Sequence, residues 1–193
     1  MSTSNNSPKI IALVGMTGSG KSVVVEYLIE KFNWPKVYFG GMVYEEVAKR
    51  GLDVVKDEKF VREDMRRLEG PAVLAKRAAA KAHELLAGGA ETVILDGLYS
   101  WSEDKFLREE FGDDLLTIAV VVPKKMRYQR AINRVDARRQ YALKDVIVRD
   151  MSEIENLEKG GPIAFADYYV LNDSDFDSMF AQVDNIISNF GDK

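Results

Sequence analysis

The stretch Gly15-Met16-Thr17-Gly18-Ser19-Gly20-Lys21-Ser22 decides the fold. It reads G-x-x-x-x-G-K-S with a third glycine inside, the pattern of a loop that cradles phosphate. Before it runs Ile10-Ile11-Ala12-Leu13-Val14, a short apolar, β-branched segment that predicts a buried strand. After it, Val24, Leu28 and Phe32 recur at helical spacing and predict a helix over 22–32. The residue types fit the chemistry. Glycines let the backbone curl so that its N–H groups face an anion, and the helix that follows adds its positive dipole end. Lys21 supplies a mobile charge for β- and γ-phosphates, and Ser22 offers a hydroxyl oxygen to Mg²⁺, a hard cation.

Working outward, apolar strands alternate with helical patterns, which predicts an α/β protein with a parallel sheet. Val37-Tyr38-Phe39 reads as a second strand closed by Gly40-Gly41, followed by a helix over 42–50. A charged helix follows over 58–68, then an alanine-rich one to Ala87 that Pro71 opens. Thr92-Val93-Ile94-Leu95 is the third strand and ends in Asp96-Gly97. After a helix over 103–111, residues 115–122 form the most apolar strand, placed at or near the sheet centre. Pro123 starts a basic helix to about 139, and a further helix spans 143–157 before Gly160-Gly161-Pro162. Tyr168-Tyr169-Val170-Leu171 is the fifth strand, and an amphipathic helix over 176–190 closes the chain.

The 193 residues suffice for one domain with its own core. A net charge of −4 argues against a surface built for bulk nucleic acid or for an anionic membrane. The chain has no cysteine, which excludes disulfides and thiolate metal sites. The polar N-terminus, residues 1–7, lacks an apolar signal-peptide core and reads as a frayed tail, so a cytoplasmic protein is expected.

Two further features carry chemistry. Asp96, at the end of an apolar strand, puts a carboxylate at the carboxyl edge of the sheet, where α/β ligand sites lie. Arg127, Arg130, Arg134 and Arg138 fall on one face of the basic helix, and arginine suits phosphate because its planar fork binds two oxygens at once. Arg134 and Arg138 are the members expected to meet the ligand; a solvated basic face is the alternative. His83 reads as a packed or surface histidine, and Trp101 as a possible lining of the acceptor pocket.

These residues resemble the P-loop nucleotide-kinase superfamily: the adenylate- and cytidylate-kinase-like enzymes and dephospho-CoA kinase. The resemblance rests on Gly15 to Ser22, on Val93-Ile94-Leu95-Asp96-Gly97, on Arg130-x-x-x-Arg134, and on Ala166-Asp167-Tyr168-Tyr169-Val170-Leu171-Asn172-Asp173. Phe39-Gly40, Arg149-Asp150 and Ala166-Asp167-Tyr168 bring it closer to a mostly archaeal, dephospho-CoA-kinase-like group. The resemblance implies a three-layer P-loop fold with a five-stranded parallel sheet, helices on both faces and a small helical lid. Residues 8–125 and 163–193 would form the core, about 41–70 the acceptor-side helices and about 130–160 the lid.

It also implies an ATP- and Mg²⁺-dependent phosphotransferase whose acceptor is a nucleotide or a nucleotide-tailed coenzyme. Lys21, Asp96, Arg134 and Arg138 would be catalytic, with Ser22 and Asp96 positioning the metal. Arg130, Asn172 and Asp173 would join Gly15, Met16, Thr17, Gly18, Ser19, Gly20, Lys21 and Ser22 around ATP, with Tyr44, Arg62 and Tyr99 on the acceptor side. The chain departs from the pattern at Gly40-Gly41-Met42-Val43-Tyr44, where nucleotide monophosphate kinases carry Gly-Asp-x-x-Arg to grip the acceptor. That departure keeps open a nucleotide-binding switch that hydrolyses slowly and has no small-molecule acceptor.

Overall fold

The computed structural model describes residues 8–133 and 142–190. Five strands form one parallel sheet: β1 (Ile10–Val14), β2 (Lys36–Tyr38), β3 (Val93–Asp96), β4 (Leu115–Val121) and β5 (Tyr168–Leu171). Their spatial order is β2-β3-β1-β4-β5, so β1 lies in the middle and β4 beside it. The helices are α1 (Lys21–Phe32), α2 (Phe39–Lys49), α3 (Val54–Glu69), α4 (Val73–Ala87), α5 (Trp101–Phe111), α6 (Lys124–Asn133), α7 (Leu143–Glu155), α8 (Gly160–Ala164) and α9 (Phe176–Ser188).

β1 is apolar along its whole length because both of its faces are covered. Ile10, Ala12 and Val14 point into a core shared with α2 to α5, through Val43, Val47, Met65, Leu74 and Leu107. Ile11 and Leu13 point the other way, against Val24 and Leu28 of α1 and Met179 and Val183 of α9. All five β1 side chains are fully buried, and each such Ile, Leu or Val contributes about 1.5–3 kcal/mol of apolar transfer energy.

Three boundaries differ from the sequence reading. The strand at 37–39 ends at Tyr38, and Gly40 and Gly41 lie in the first turn of α2 rather than in a closing turn. The Tyr38 ring occupies the space a Gly40 side chain would need, since a Cβ there would come within 2.4 Å of the ring. α3 starts at Val54 instead of 58, because the Asp53 carboxylate accepts hydrogen bonds from the Val55 and Lys56 N–H groups, both at 3.0 Å. Gly160-Gly161-Pro162 is not a break but the start of α8, where proline is tolerated within the first turn.

The Ala166-Asp167-Tyr168 stretch is a structural staple. One Asp167 oxygen accepts the Thr117 N–H of β4 at 2.8 Å, and the other accepts from Arg108 of α5 at 3.3 Å. A second staple joins α6 to α7. Arg127 and Asp150 are both buried and form a two-pronged ion pair, at 2.6 and 3.2 Å. Removing one partner of such a pair leaves a buried charge without compensation. Arg127→Leu is therefore expected to lower unfolding free energy by about 3–5 kcal/mol in urea titrations, and Arg127→Leu with Asp150→Leu to recover more than half of it. A single-variant loss of under about 1 kcal/mol would contradict the pairing.

Candidate functional site

The central strand β1 runs straight into the glycine-rich loop, and α1 starts at Lys21 as its end. Gly18 and Gly20 adopt φ of 83° and 91°, in the left-handed region that other residues disfavour. Both also lie against other parts of the chain. A Cβ on Gly18 would fall 2.4 Å from the Arg127 carbonyl oxygen, and one on Gly20 would fall 2.1 Å from Asn172 Nδ2. Two contacts grip the loop by its carbonyls, and a third holds one of the gripping residues. Arg127 donates to Thr17 O at 2.9 Å, Asn172 Nδ2 donates to Ser19 O at 2.8 Å, and Arg130 donates to Asn172 O at 3.0 Å. Within the loop, the Ser19 N–H donates to the Met16 carbonyl at 3.0 Å.

That cleft has a volume of about 620 Å³ and is lined by Gly15 to Val23 on one side. Register places Asp96 level with Leu13 of β1 and Tyr38 of β2, at the carboxyl edge of the sheet. Asp96 forms an ion pair with Lys21. Ser22 is exposed in the first turn of α1 and lines the same cleft. A hydroxyl and a carboxylate oxygen suit Mg²⁺, which keeps several waters and takes its remaining ligands from substrate phosphates. Among the described residues no group of three or more His, Cys, Asp or Glu forms a metal cage, so Ser22 and Asp96 would hold an ion that phosphate oxygens also bind.

The opposite wall is aromatic. Tyr38, Tyr44 and Tyr99 line it, with Tyr38 and Tyr44 in an edge-on contact at 6.3 Å. Burial pushes the Tyr99 phenol up to about 12, with Arg149 pulling the other way. Burial also raises Tyr38, helped by Tyr99 and Tyr44. Both phenols therefore stay protonated and able to donate a hydrogen bond at neutral pH. The loop bearing Tyr99 is fixed by buried Glu103. Its Oε2 accepts the Tyr99 and Ser100 N–H groups at 2.9 and 3.0 Å, and its Oε1 accepts from Arg66 of α3 at 2.9 Å.

The expected residues sort as follows. Gly15 to Ser22, Asp96, Tyr44, Tyr99 and Arg130 meet at one cleft. Arg134 and Arg138 lie outside the described residues. Arg127 faces the loop and Asp150, so it supports the site from within the fold. Four expectations need correction. Asn172, expected at the nucleotide, is buried beneath the loop with its amide on Ser19. Asp173 is exposed on the turn after β5 and does not line the cleft. Arg62 does not line the cleft; it pairs with Glu58 at 2.8 Å, and its charge acts on Tyr99. Trp101 likewise packs away from the cleft, against Phe165 at 5.4 Å.

Sequence reasoning missed a charged group that the fold brings in from α7 and α8. Arg149 and Lys159 line the cleft, and both donate to Glu153, at 2.9 and 2.8 Å. Burial opposes ionisation of Glu153, yet Lys159 and Arg149 hold its carboxyl below the usual range. Nothing periodic marks Lys159, which sits among Glu158, Gly160 and Gly161. The i, i+4 spacing of Arg149 and Glu153 was the one available signal.

With this geometry in view, comparison with known proteins is informative. The family described as "AAA domain" matches residues 14–148. A UPF0200 protein of Thermococcus onnurineus is 37% identical over 166 residues, covering 85% of this chain and 88% of that protein. The crystal structure of TT1252 from Thermus thermophilus superimposes with a TM-score of 0.67 at 19% identity, covering 95% of this chain and 98% of that one. The shikimate kinase of Bacteroides thetaiotaomicron gives 0.56 at 16% identity, covering 92% and 95%. At such identities the likeness to solved structures concerns the fold, a P-loop kinase-like α/β sheet. Sequence and fold together make this chain a member of the AAA-domain family of P-loop kinase-like proteins and, within it, of the UPF0200 proteins.

Proposed function

We propose that the protein is a phosphotransferase that uses ATP with Mg²⁺ and acts on a nucleotide or a nucleotide-tailed coenzyme in the cytoplasm. One observation carries the reading. The Lys21–Asp96 pair lies where the glycine loop and the tyrosine wall face each other, so a donor and an acceptor fit in one cleft.

In this proposal the loop amides and Lys21 hold the β- and γ-phosphates, and Arg130 borders the nucleotide. Ser22 and Asp96 hold Mg²⁺, which neutralises charge on the phosphates when bound. Tyr44 and Tyr99 form the acceptor side. The acceptor oxygen bonds to the γ-phosphorus as the bridging bond to the β-phosphate breaks, and the electron pair leaves with ADP. A phosphate acceptor attacks as its anion; a hydroxyl acceptor is oriented by Asp96, which takes its proton. Positioning and electrostatics carry most of this chemistry. Arg134 and Arg138, outside the described residues, are the arginines proposed to neutralise charge on the transferred group.

A second reading, a slow nucleotide-hydrolysing switch without a small-molecule acceptor, is favoured by one feature. The position of Gly-Asp-x-x-Arg is taken by Gly40-Gly41-Met42-Val43 in the first turns of α2. The two separate in a turnover screen of protein, ATP and Mg²⁺ with nucleoside monophosphates, dephospho-CoA and hydroxy acids such as shikimate. The phosphotransferase reading expects at least one acceptor to raise ADP formation about tenfold or more above the acceptor-free rate, because an occupied acceptor site replaces water. A flat response across the panel would favour the switch. Lys21→Ala is expected to lower turnover by about 100-fold or more; unchanged turnover and ATP affinity would overturn the loop assignment itself.

A further inference from the structure

Lys159 is a cleft cation that the mechanism above leaves without a task. It is 2% exposed, yet it belongs to the cleft lining together with Lys21, Asp96 and Tyr99. Burying an ammonium is costly unless its hydrogen bonds are met. Lys159 is held from two sides. Its Nζ donates to Glu153 at 2.8 Å and lies 4.6 Å from the centre of the Tyr99 ring. Its main-chain N–H donates to the Glu153 carbonyl at 3.1 Å. The preceding Glu158 takes a left-handed φ of 50°, uncommon for a residue with a side chain, and turns the chain back toward the end of α7.

This arrangement differs from that of a lysine serving only as a counter-ion. Glu153 divides itself, one oxygen to Lys159 and the other to Arg149. Burial draws Lys159 below the ordinary lysine value against the pull of Glu153, and repulsion from Arg149 and from Lys21, another lining residue of the cleft, adds to it. An anion between the two ammonium groups would turn that repulsion into attraction. Lys21 approaches such an anion from the loop, while Lys159 approaches from the tyrosine wall.

We propose that Lys159 contacts the phosphoryl group in transfer from the acceptor side, with Glu153 positioning its ammonium. The inference rests on the phosphotransferase reading and adds to it a second cation, supplied by the junction of α7 and α8. Lys21 holds the donor's phosphates before and after the step. Lys159 acts on the equatorial oxygens while the group lies between leaving and attacking oxygens, where differential stabilisation speeds the reaction.

The test uses a fluorescent ADP analogue with Mg²⁺, without and with fluoroaluminate, a planar mimic of the phosphoryl group in transfer. Wild-type protein is expected to bind the nucleotide about tenfold or more tighter with fluoroaluminate. Lys159→Met should keep the affinity for MgADP within about twofold and lose most of that tightening, and Lys159→Arg should restore part of it. Thermal melting verifies folding, and Lys159→Met with Glu153→Gln removes the unpaired carboxylate should the single variant not fold. Full tightening in the folded Met variant overturns the role of Lys159 and leaves the phosphotransferase reading intact. Wild-type protein that binds MgADP without any tightening overturns that reading, and this inference with it.

Discussion

A loop that binds phosphate through its own N–H groups must be held in shape by its carbonyls. Each amide spent on an internal hydrogen bond, as that of Ser19 is on Met16, is lost to the anion. In this protein the carbonyls of Thr17 and Ser19 are gripped by Arg127 and Asn172, and Arg130 grips Asn172 in turn. Much of the fold serves that end. The β4–β5 pairing brings Asn172 under Gly20, and the start of α6 lies against Gly18. The Arg127–Asp150 pair then ties α7 to the same support, so a displacement of α7 acts on the loop through one shared guanidinium.

The donor half of the cleft was legible because its signals are local. Strand, loop, lysine and helix follow one another over little more than twenty residues, and Asp96 is marked by the apolar run before it. The misread residues depend on long-range partners. Helical spacing puts Arg127 on the same face as Arg130 and Arg134 but does not say that Arg127 is buried against the glycine-rich loop. The Asn172 segment resembled a nucleotide contact, and its amide is instead consumed one layer below, by Ser19. Gly40-Gly41 resembled a turn because composition alone does not show that the ring of Tyr38 fills the space a side chain at Gly40 would take.

The cleft lacks the Asp and Arg of Gly-Asp-x-x-Arg, whose positions Gly41 and Tyr44 take. Its described surface offers the rings and hydroxyls of Tyr38, Tyr44 and Tyr99, backed by Arg149 and Lys159 that share Glu153. Glu103 makes this wall rigid by capping α5, fixing the Tyr99 backbone and anchoring α3 through Arg66. A fold of this kind hosts many functions, so the choice of ligand falls to side chains rather than to the sheet.

The account turns on where the triphosphate sits and what Lys21 does on its arrival. A crystal structure with Mg²⁺ and a non-hydrolysable ATP analogue tests this directly. The β-phosphate is predicted inside the Gly15–Ser22 loop, with Lys21 moved from Asp96 onto phosphate oxygen and Asp96 facing the metal's water shell. A nucleotide bound elsewhere, with the Lys21–Asp96 pair unbroken, would contradict it.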